Sequence, residues 1–299
     1  SPHLATGASC SQGPTNLCVM SLVNQTCWVV GGVGTVGRGI TRGLLQAGAT
    51  VIVNSRSPER LEKLSDNLGN PERLVTVHGS LLPGYASKTV LDTLNSTTLN
   101  HVVAHGAVRW WAKPTAGEFQ YYEFRAGCDE TYSLNIRTNE RLLDMTPEEF
   151  MQSSVQLASL HFSAAQQLIP RLRASRAPAS YTFVTGDGSG KPGGKRTCMG
   201  EINSHHVWGL SSALRQELTQ NSGGVTCREI RVGLPINESE NEKGFSDTGN
   251  PLSEDIGDLC AGLTTATPKV GDNGRLIRVE EYDTLNALLG EYNVTLDDD

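Results

Sequence analysis

The strongest constraint on the fold is a glycine-rich turn between a short apolar run and an amphipathic segment. The apolar run is Cys27 to Val30, the turn is Gly31 to Gly37, and apolar residues follow at helical spacing from Arg38 to Ala47. A second strand is predicted at Thr50 to Asn54, and Ser57 is a suitable N-cap for the next helix. A strand, a tight turn, a helix and a strand within about thirty residues predict a βαβ unit.

The alternation of strands and helices continues along the chain. The further predicted strands are Leu74 to His78, His101 to His105, Tyr181 to Thr185, Val225 to Val232 and Arg275 to Val279. The further predicted helices are Ser87 to Leu94, Pro147 to Ala174, Asn203 to Thr219 and Glu254 to Leu263. Strands joined by right-handed helical crossovers predict an α/β fold, with a doubly wound parallel sheet covered on both faces.

The element pattern predicts a single Rossmann-type domain over residues 27–285. It is preceded by an extension, 1–26, and followed by an acidic tail, 286–299. The aromatic-rich segment 108–145 is long for a connection and is interpreted as an insertion. Its aromatic residues serve either local packing or a lid or protein-partner surface, because exposed aromatic side chains often anchor interfaces.

Composition narrows the classes of partner. The net charge is -7 and the basic residues are scattered, which argues against nucleic-acid binding. No apolar run approaches the roughly 18 residues of a transmembrane helix. We expect a protein that is soluble or peripherally attached. We expect it to be cytoplasmic or organellar after removal of an N-terminal targeting segment. The sequence is compatible with a homo-oligomer. The sequence does not specify the compartment.

The seven cysteines contain no CxxC pair, so no metal site is expected. Cys10 and Cys18 are either two free thiols or a local disulfide. The adjacent His205 and His206 are poor metal ligands, because neighbouring side chains on a helix point apart.

The glycine turn predicts a dinucleotide site. Backbone N–H groups at a helix N-terminus bind a pyrophosphate, and the backbone approaches it only where side chains are absent. The predicted cofactor-binding residues of the turn are Gly31, Gly32, Gly34, Thr35, Val36 and Gly37.

The end of the second strand indicates which dinucleotide binds. A carboxylate there binds the ribose of NAD, whereas a cation accepts the 2'-phosphate of NADP. The chain has Asn54-Ser55-Arg56, in which Arg56 is suited to the phosphate with support from Ser55. NADP(H) is favoured over NAD; the alternative is that Arg56 is a solvated residue before a helix.

From Cys27 to about Leu285, the order of elements resembles the short-chain dehydrogenase/reductase family. Val30 to Arg38 resembles the family's TGxxxGxG turn, with Val30 in place of Thr and Thr35 in place of the middle Gly. Val207 to Leu218 is similar to the helix after the family's catalytic motif. Ser253 to Gly257 resembles the start of a late helix of the family.

The resemblance implies where the family's catalytic Asn, Ser, Tyr and Lys should stand. They fall at Gln156, Gly186, Gly200 and Ser204, so none of the four side chains is present. The family's NNAG segment corresponds to Ala104-His105-Gly106-Ala107. Cofactor contacts at Ala104, His105 and Gly106 would then run through the main chain.

The glycine-rich loop after the fifth strand resembles an atypical branch of that family which also lacks the Tyr/Lys pair. Asp187 is the best candidate for a replacement acid, because we expect its position beside an apolar strand end to raise the pKa of its carboxyl. The alternative is that Asp187 is a solvated polar residue.

Three functional hypotheses follow. The first is an NADP(H)-binding protein without the usual catalytic machinery, acting as a structural or regulatory subunit of a larger assembly. The second is an NADPH-dependent reductase or reductase/cyclase with an unconventional site around Asp187. The third is a scaffold module that docks through segment 108–145.

Overall fold

The computed structural model describes residues 22–95, 97–106, 142–175, 177–186, 198–234, 236, 253–266, 269 and 271–292. The strands in this part are β1 (Thr26–Val30), β2 (Thr50–Ser55), β3 (Leu74–His78), β4 (His101–His105), β5 (Ala179–Gly186), β6 (Val225–Val232) and β7 (Leu276–Val279). The helices are α1 (Thr35–Gln46), α2 (Pro58–Asn67), α3 (Ala86–Leu94), α4 (Pro147–Arg173), α5 (Cys198–Gln220), α6 (Ser253–Thr265) and α7 (Tyr282–Glu291), with a short 3-10 helix at Leu142–Asp144.

The strands form one parallel sheet in the order β3-β2-β1-β4-β5-β6-β7. The order runs outward from β1 in one direction and from β4 in the other, which confirms the prediction of a doubly wound sheet. In such sheets the crevice at the carboxyl ends of the two central strands is the usual ligand site.

Two apolar layers cover the sheet. One joins its first face to α1, α2, α6 and α7, and the other joins the opposite face to α3, α4 and α5. All residues of β1 and β6 are buried. Because both faces of the sheet are covered, these strands do not alternate between apolar and polar residues. Their side chains are mostly apolar, and the charged ones of β6 are hydrogen-bonded.

A close helix crossing fixes the position of α1. A Cβ atom on Gly39 would lie 2.0 Å from the carbonyl oxygen of Ser253, and one on Gly257 would lie 2.0 Å from that of Gly39. Only glycine permits this approach of α1 to the start of α6. The N-terminus of α1, which follows the glycine turn, is thereby held in place.

The structure extends the packed domain beyond both predicted boundaries. Residues 286–299 were expected to be a tail, but α7 continues to Glu291 and buries Leu288 and Leu289. Leu22, expected in the extension, is 1% exposed, and its N–H donates to the carbonyl of Ala47. Apolar contact with the sheet layer explains both differences.

Two further predictions concern particular segments. Helix α5 begins at Cys198, earlier than the predicted Asn203. Most of the predicted insertion 108–145, together with Cys10 and Cys18, lies outside the described residues. Within the part of the chain that the structure describes, no helix is long and apolar enough to cross a membrane.

Candidate functional site

The glycine turn leads directly into the N-terminus of α1. Gly31 has a φ of 79°, in the left-handed region, and its carbonyl accepts the N–H of Gly34 at 3.1 Å. A Cβ atom on Gly37 would lie 2.1 Å from that same carbonyl oxygen. The first turn of α1 contains no acidic residue. The turn is therefore closed on itself, and the positive end of the helix dipole beside it can attract a phosphate.

The other residues predicted in this turn have distinct surroundings. A Cβ atom on Gly32 would lie 2.7 Å from a methyl group of Val53, so this glycine lets β1 and β2 continue close together. Thr35 is the first residue of α1, and Val36 packs against the apolar layer. Only the backbone of this segment is needed to bind a pyrophosphate.

Strand register brings the glycine turn beside the end of β4. Val30 of β1 pairs with Ala104 of β4, so Gly31 follows β1 at the level of His105, the last residue of β4. The sequence-predicted turn and the 104–106 segment are thus neighbours at the crevice between the two halves of the sheet.

Asn54 holds the end of β2. Its Oδ1 accepts the indole N–H of Trp28 at 3.0 Å, and its Nδ2 donates to the carbonyl of Gly79 at 3.2 Å. This amide therefore links β1, β2 and the residue after β3. The sequence did not assign it a role.

The turn after β2 is fixed by hydrogen bonds between side chains and its backbone groups. The hydroxyl of Ser55 accepts the N–H of Ser57 at 3.1 Å, and Nε2 of His78 donates to the carbonyl of Arg56 at 3.2 Å. The N-cap prediction is confirmed, because Ser57 accepts the N–H of Arg60 at 3.2 Å. The Arg56 side chain, directly after β2, is exposed.

The end of β4 is held by two histidines. Nδ1 of His105 donates to the carbonyl of Val184 on β5 at 3.0 Å, and Nε2 of His161 on α4 donates to the carbonyl of Gly106 at 3.1 Å. Burial lowers the pKa of His105, and it lowers the pKa of His161 to about 4. Both rings are therefore neutral at pH 7.

The resemblance assigns four positions to catalysis, and all four lie among the described residues. Gly186 ends β5, Gly200 and Ser204 lie near the start of α5, and Gln156 lies on α4. The Ser204 hydroxyl is buried and donates to the carbonyl of Gly200 at 3.0 Å. This hydrogen bond is made within α5.

Asn203 links α4 and α5 at the same level. Its Nδ2 donates to the carbonyl of Ser153 at 2.9 Å, and its Oδ1 accepts the N–H of Leu157 at 3.4 Å. Nδ1 of His206 donates to the carbonyl of Ser154 at 2.6 Å. Asn203 and His206 therefore join α5 to α4.

A buried carboxylate lies on β6, where Glu229 is opposite Phe183 of β5 in the sheet register. Glu229 of β6 is fully buried and accepts the hydroxyls of Thr185 at 2.7 Å and Ser211 at 2.8 Å. It forms ion pairs with Arg231 at 2.8 Å and Arg215 at 3.3 Å. Since its partners lie on β5, β6 and α5, the sequence alone gave no signal for this cluster.

The remaining candidate groups do not form a second centre in the described residues. Asp187 follows Gly186 directly but lies outside the described residues. His205 bonds Glu201 at 3.1 Å, whereas His206 bonds α4, so the two rings point apart. In the described ranges, no three His, Cys, Asp or Glu side chains converge on a possible metal position.

Three cysteines, Cys27, Cys227 and Cys260, are buried free thiols. Burial raises the pKa of Cys227 and of Cys260 to about 12, and it raises that of Cys27 further. A thiol of such high pKa is not a nucleophile at neutral pH.

Comparison with known sequences gives one partial match. The family model described as NADP oxidoreductase coenzyme F420-dependent matches residues 28–92, which run from β1 into α3 and contain the glycine turn and the end of β2. No curated protein matches the chain at a significant level.

Solved structures match over most of the chain. The RhlG/NADP active-site complex of Pseudomonas aeruginosa has a TM-score of 0.62 at 18% identity, covering 89% of this chain and 98% of that one. A short-chain type dehydrogenase/reductase of Mycobacterium marinum has a TM-score of 0.63 at 13% identity, covering 88% and 96%. An oxidoreductase of the short-chain dehydrogenase/reductase family from Burkholderia thailandensis has a TM-score of 0.60 at 15% identity, covering 85% and 90%. The chain therefore has the Rossmann-like fold that these short-chain dehydrogenases/reductases share.

Proposed function

We propose that this chain binds NADP(H) at the carboxyl ends of β1, β2 and β4 without the family's usual Tyr/Lys proton relay. The observation that carries the proposal is the contact of Gly37 with the carbonyl of Gly31, which leaves no room for a side chain. The backbone at the N-terminus of α1 is open to a pyrophosphate for this reason. The partial match over residues 28–92 supports a nicotinamide cofactor.

The preference for NADP(H) over NAD(H) rests on Arg56. Its backbone is held by His78 while its side chain, directly after β2, is exposed, and β2 itself ends without a carboxylate. A guanidinium there would bind the 2'-phosphate through charge-assisted hydrogen bonds.

Arg56→Glu tests this preference. A charge-assisted bond contributes about 1.5–3 kcal/mol, so we expect a roughly 10- to 100-fold rise in the Kd for NADPH and little change for NADH, both measured by calorimetry. Arg60→Glu, in the first turn of α2, is the matched control. Equal NADPH affinity in wild type and Arg56→Glu would contradict the assignment.

The absence of the usual relay is supported by what occupies its positions. Gly200 has no side chain, and the hydroxyl of Ser204 donates to a carbonyl of α5. The side-chain amide of the neighbouring Asn203 is hydrogen-bonded to backbone groups of α4. Donating a proton to a substrate alkoxide needs a positioned acid, and these residues supply none. We therefore propose a role as a structural or regulatory subunit in a larger assembly, in which segment 108–145 is the candidate partner surface.

The second candidate is an NADPH-dependent reductase or reductase/cyclase with Asp187 as its acid. It is favoured by the oxidoreductase structures of the same fold and by the position of Asp187 directly after β5. NADPH consumption with a panel of carbonyl and iminium compounds separates the candidates. We expect no turnover; turnover that Asp187→Ala abolishes would overturn the first proposal in favour of the second.

A further inference from the structure

His161 is a buried histidine that no motif accounts for. It lies on α4, is 2% exposed, and its ring centroid is 6.1 Å from that of Phe183 on β5. Through its bond to the carbonyl of Gly106, His161 connects α4 to the residue that directly follows β4.

The bond to Gly106 fixes the tautomer of this ring. A carbonyl oxygen only accepts, so the proton of the neutral imidazole is on Nε2 and Nδ1 carries a lone pair. Among the described residues, Nδ1 has no hydrogen-bond partner although it is buried. Buried polar atoms are rarely left unpaired, which points to a group that arrives with a ligand or with water.

Gly106 lies where the second half of a dinucleotide would cross the sheet. The strand order reverses between β1 and β4, and a bound dinucleotide spans this switch point with one nucleotide over each half. Gly106 has a φ of 48°, and among the described residues no heavy atom lies within 4 Å of the position of a Cβ atom on it. With respect to the described residues, one side of this backbone is therefore uncovered.

We infer that His161 is a positioning residue for the nicotinamide half of the nucleotide, because it holds Gly106 with its open side toward the bound ring. The inference rests on the proposed function. His105, the residue before Gly106, is bonded to the carbonyl of Val184 on β5. The imidazoles of His105 and His161 thus tie residues 105 and 106 to β5 and to α4.

The test compares two ligands on the full chain. NADPH contains the nicotinamide half, whereas adenosine 2',5'-bisphosphate contains only the adenosine half with its 2'-phosphate. For His161→Leu we expect the Kd for NADPH to rise about tenfold, as for the loss of one hydrogen bond, with the Kd for the bisphosphate unchanged. His161→Gln, whose amide N–H can reach the same carbonyl, should restore most of the NADPH affinity.

Two further variants keep the test decisive. Gly106→Asn retains a residue that tolerates positive φ but places a side chain in the open space, so it should also weaken NADPH selectively, even if His161→Leu fails to fold. His101→Leu removes another buried histidine, at the opposite end of β4, and should alter stability without changing the ratio of the two affinities.

The outcomes separate the two proposals. A selective loss of NADPH affinity in His161→Leu and Gly106→Asn supports the positioning role. Unchanged NADPH affinity, or equal weakening of both ligands, overturns it. Failure of the wild-type chain to bind either ligand would overturn the proposed function, and the positioning role with it.

Discussion

At the scale of single residues, the candidate site depends on groups whose partners are distant in sequence. The carboxylate of Glu229 binds four side chains, which lie on β5, β6 and α5. The amide of Asn203 on α5 donates to a backbone carbonyl of α4. A buried carboxylate between two guanidinium groups is stable only while its charge is compensated. The stability of the packing between β5, β6 and α5 should therefore depend strongly on this one charge.

Glu229→Gln should lower the free energy of unfolding by about 3–5 kcal/mol, because two arginines then lack a buried counter-charge. Urea denaturation measures the change. Glu280→Gln is the matched control, since Glu280 pairs with Arg278 on the surface and should change stability by less than about 0.5 kcal/mol. Similar effects of the two substitutions would show that the buried cluster does not stabilise the fold.

At the scale of elements, sequence patterns predicted most strands and helices because their burial is periodic or continuous. The bounds of β3, β4 and β6 are those predicted. Helix α7 was missed, since its buried face consists of only Leu285, Leu288 and Leu289 among polar residues near the chain end.

The site was only partly predictable for a related physical reason. The glycine turn is local, so its residues could be assigned from the sequence. The roles of His161, Asn203 and Glu229 depend on which helix packs against which strand, and that information is not local.

The crossing of α1 and α6 should be intolerant of any side chain. In Gly39→Ala the new methyl group would meet the backbone of Ser253 at 2.0 Å, so the helices must separate. This overpacking, about 1–3 kcal/mol, outweighs the roughly 1 kcal/mol that alanine gains over glycine within a helix.

Gly209→Ala on α5 is the matched control for this crossing. Among the described residues no atom lies within 4 Å of a Cβ atom there, so the substitution should stabilise the protein by up to about 1 kcal/mol. Thermal unfolding compares the two variants. A Gly39→Ala protein as stable as Gly209→Ala would contradict the close crossing.

At the scale of the whole molecule, buried histidines link stability to pH. Burial lowers the pKa of both His101 and His161 to about 4, from a value near 6.5 in the unfolded chain. Between these values the unfolded state binds more protons, so stability falls as the pH drops from 6.5 toward 4.

Between pH 7 and pH 4, each of these two histidines should lower the free energy of unfolding by about 3 kcal/mol. Urea unfolding at pH 7, 5.5 and 4.5 measures the loss, and His101→Gln should make the pH dependence shallower. A free energy of unfolding that stays constant from pH 7 to 4.5 would show that these rings are not buried in the neutral form.

The central claim is that the glycine turn binds a nicotinamide dinucleotide. Titration of the wild-type chain and Gly37→Ala with NADPH, followed by native mass spectrometry, tests it directly. The account predicts one NADPH per wild-type chain and none on the variant, because a Cβ atom at Gly37 would displace the carbonyl of Gly31. A wild-type chain that stays free of nucleotide, or a variant that binds as well as wild type, would contradict it.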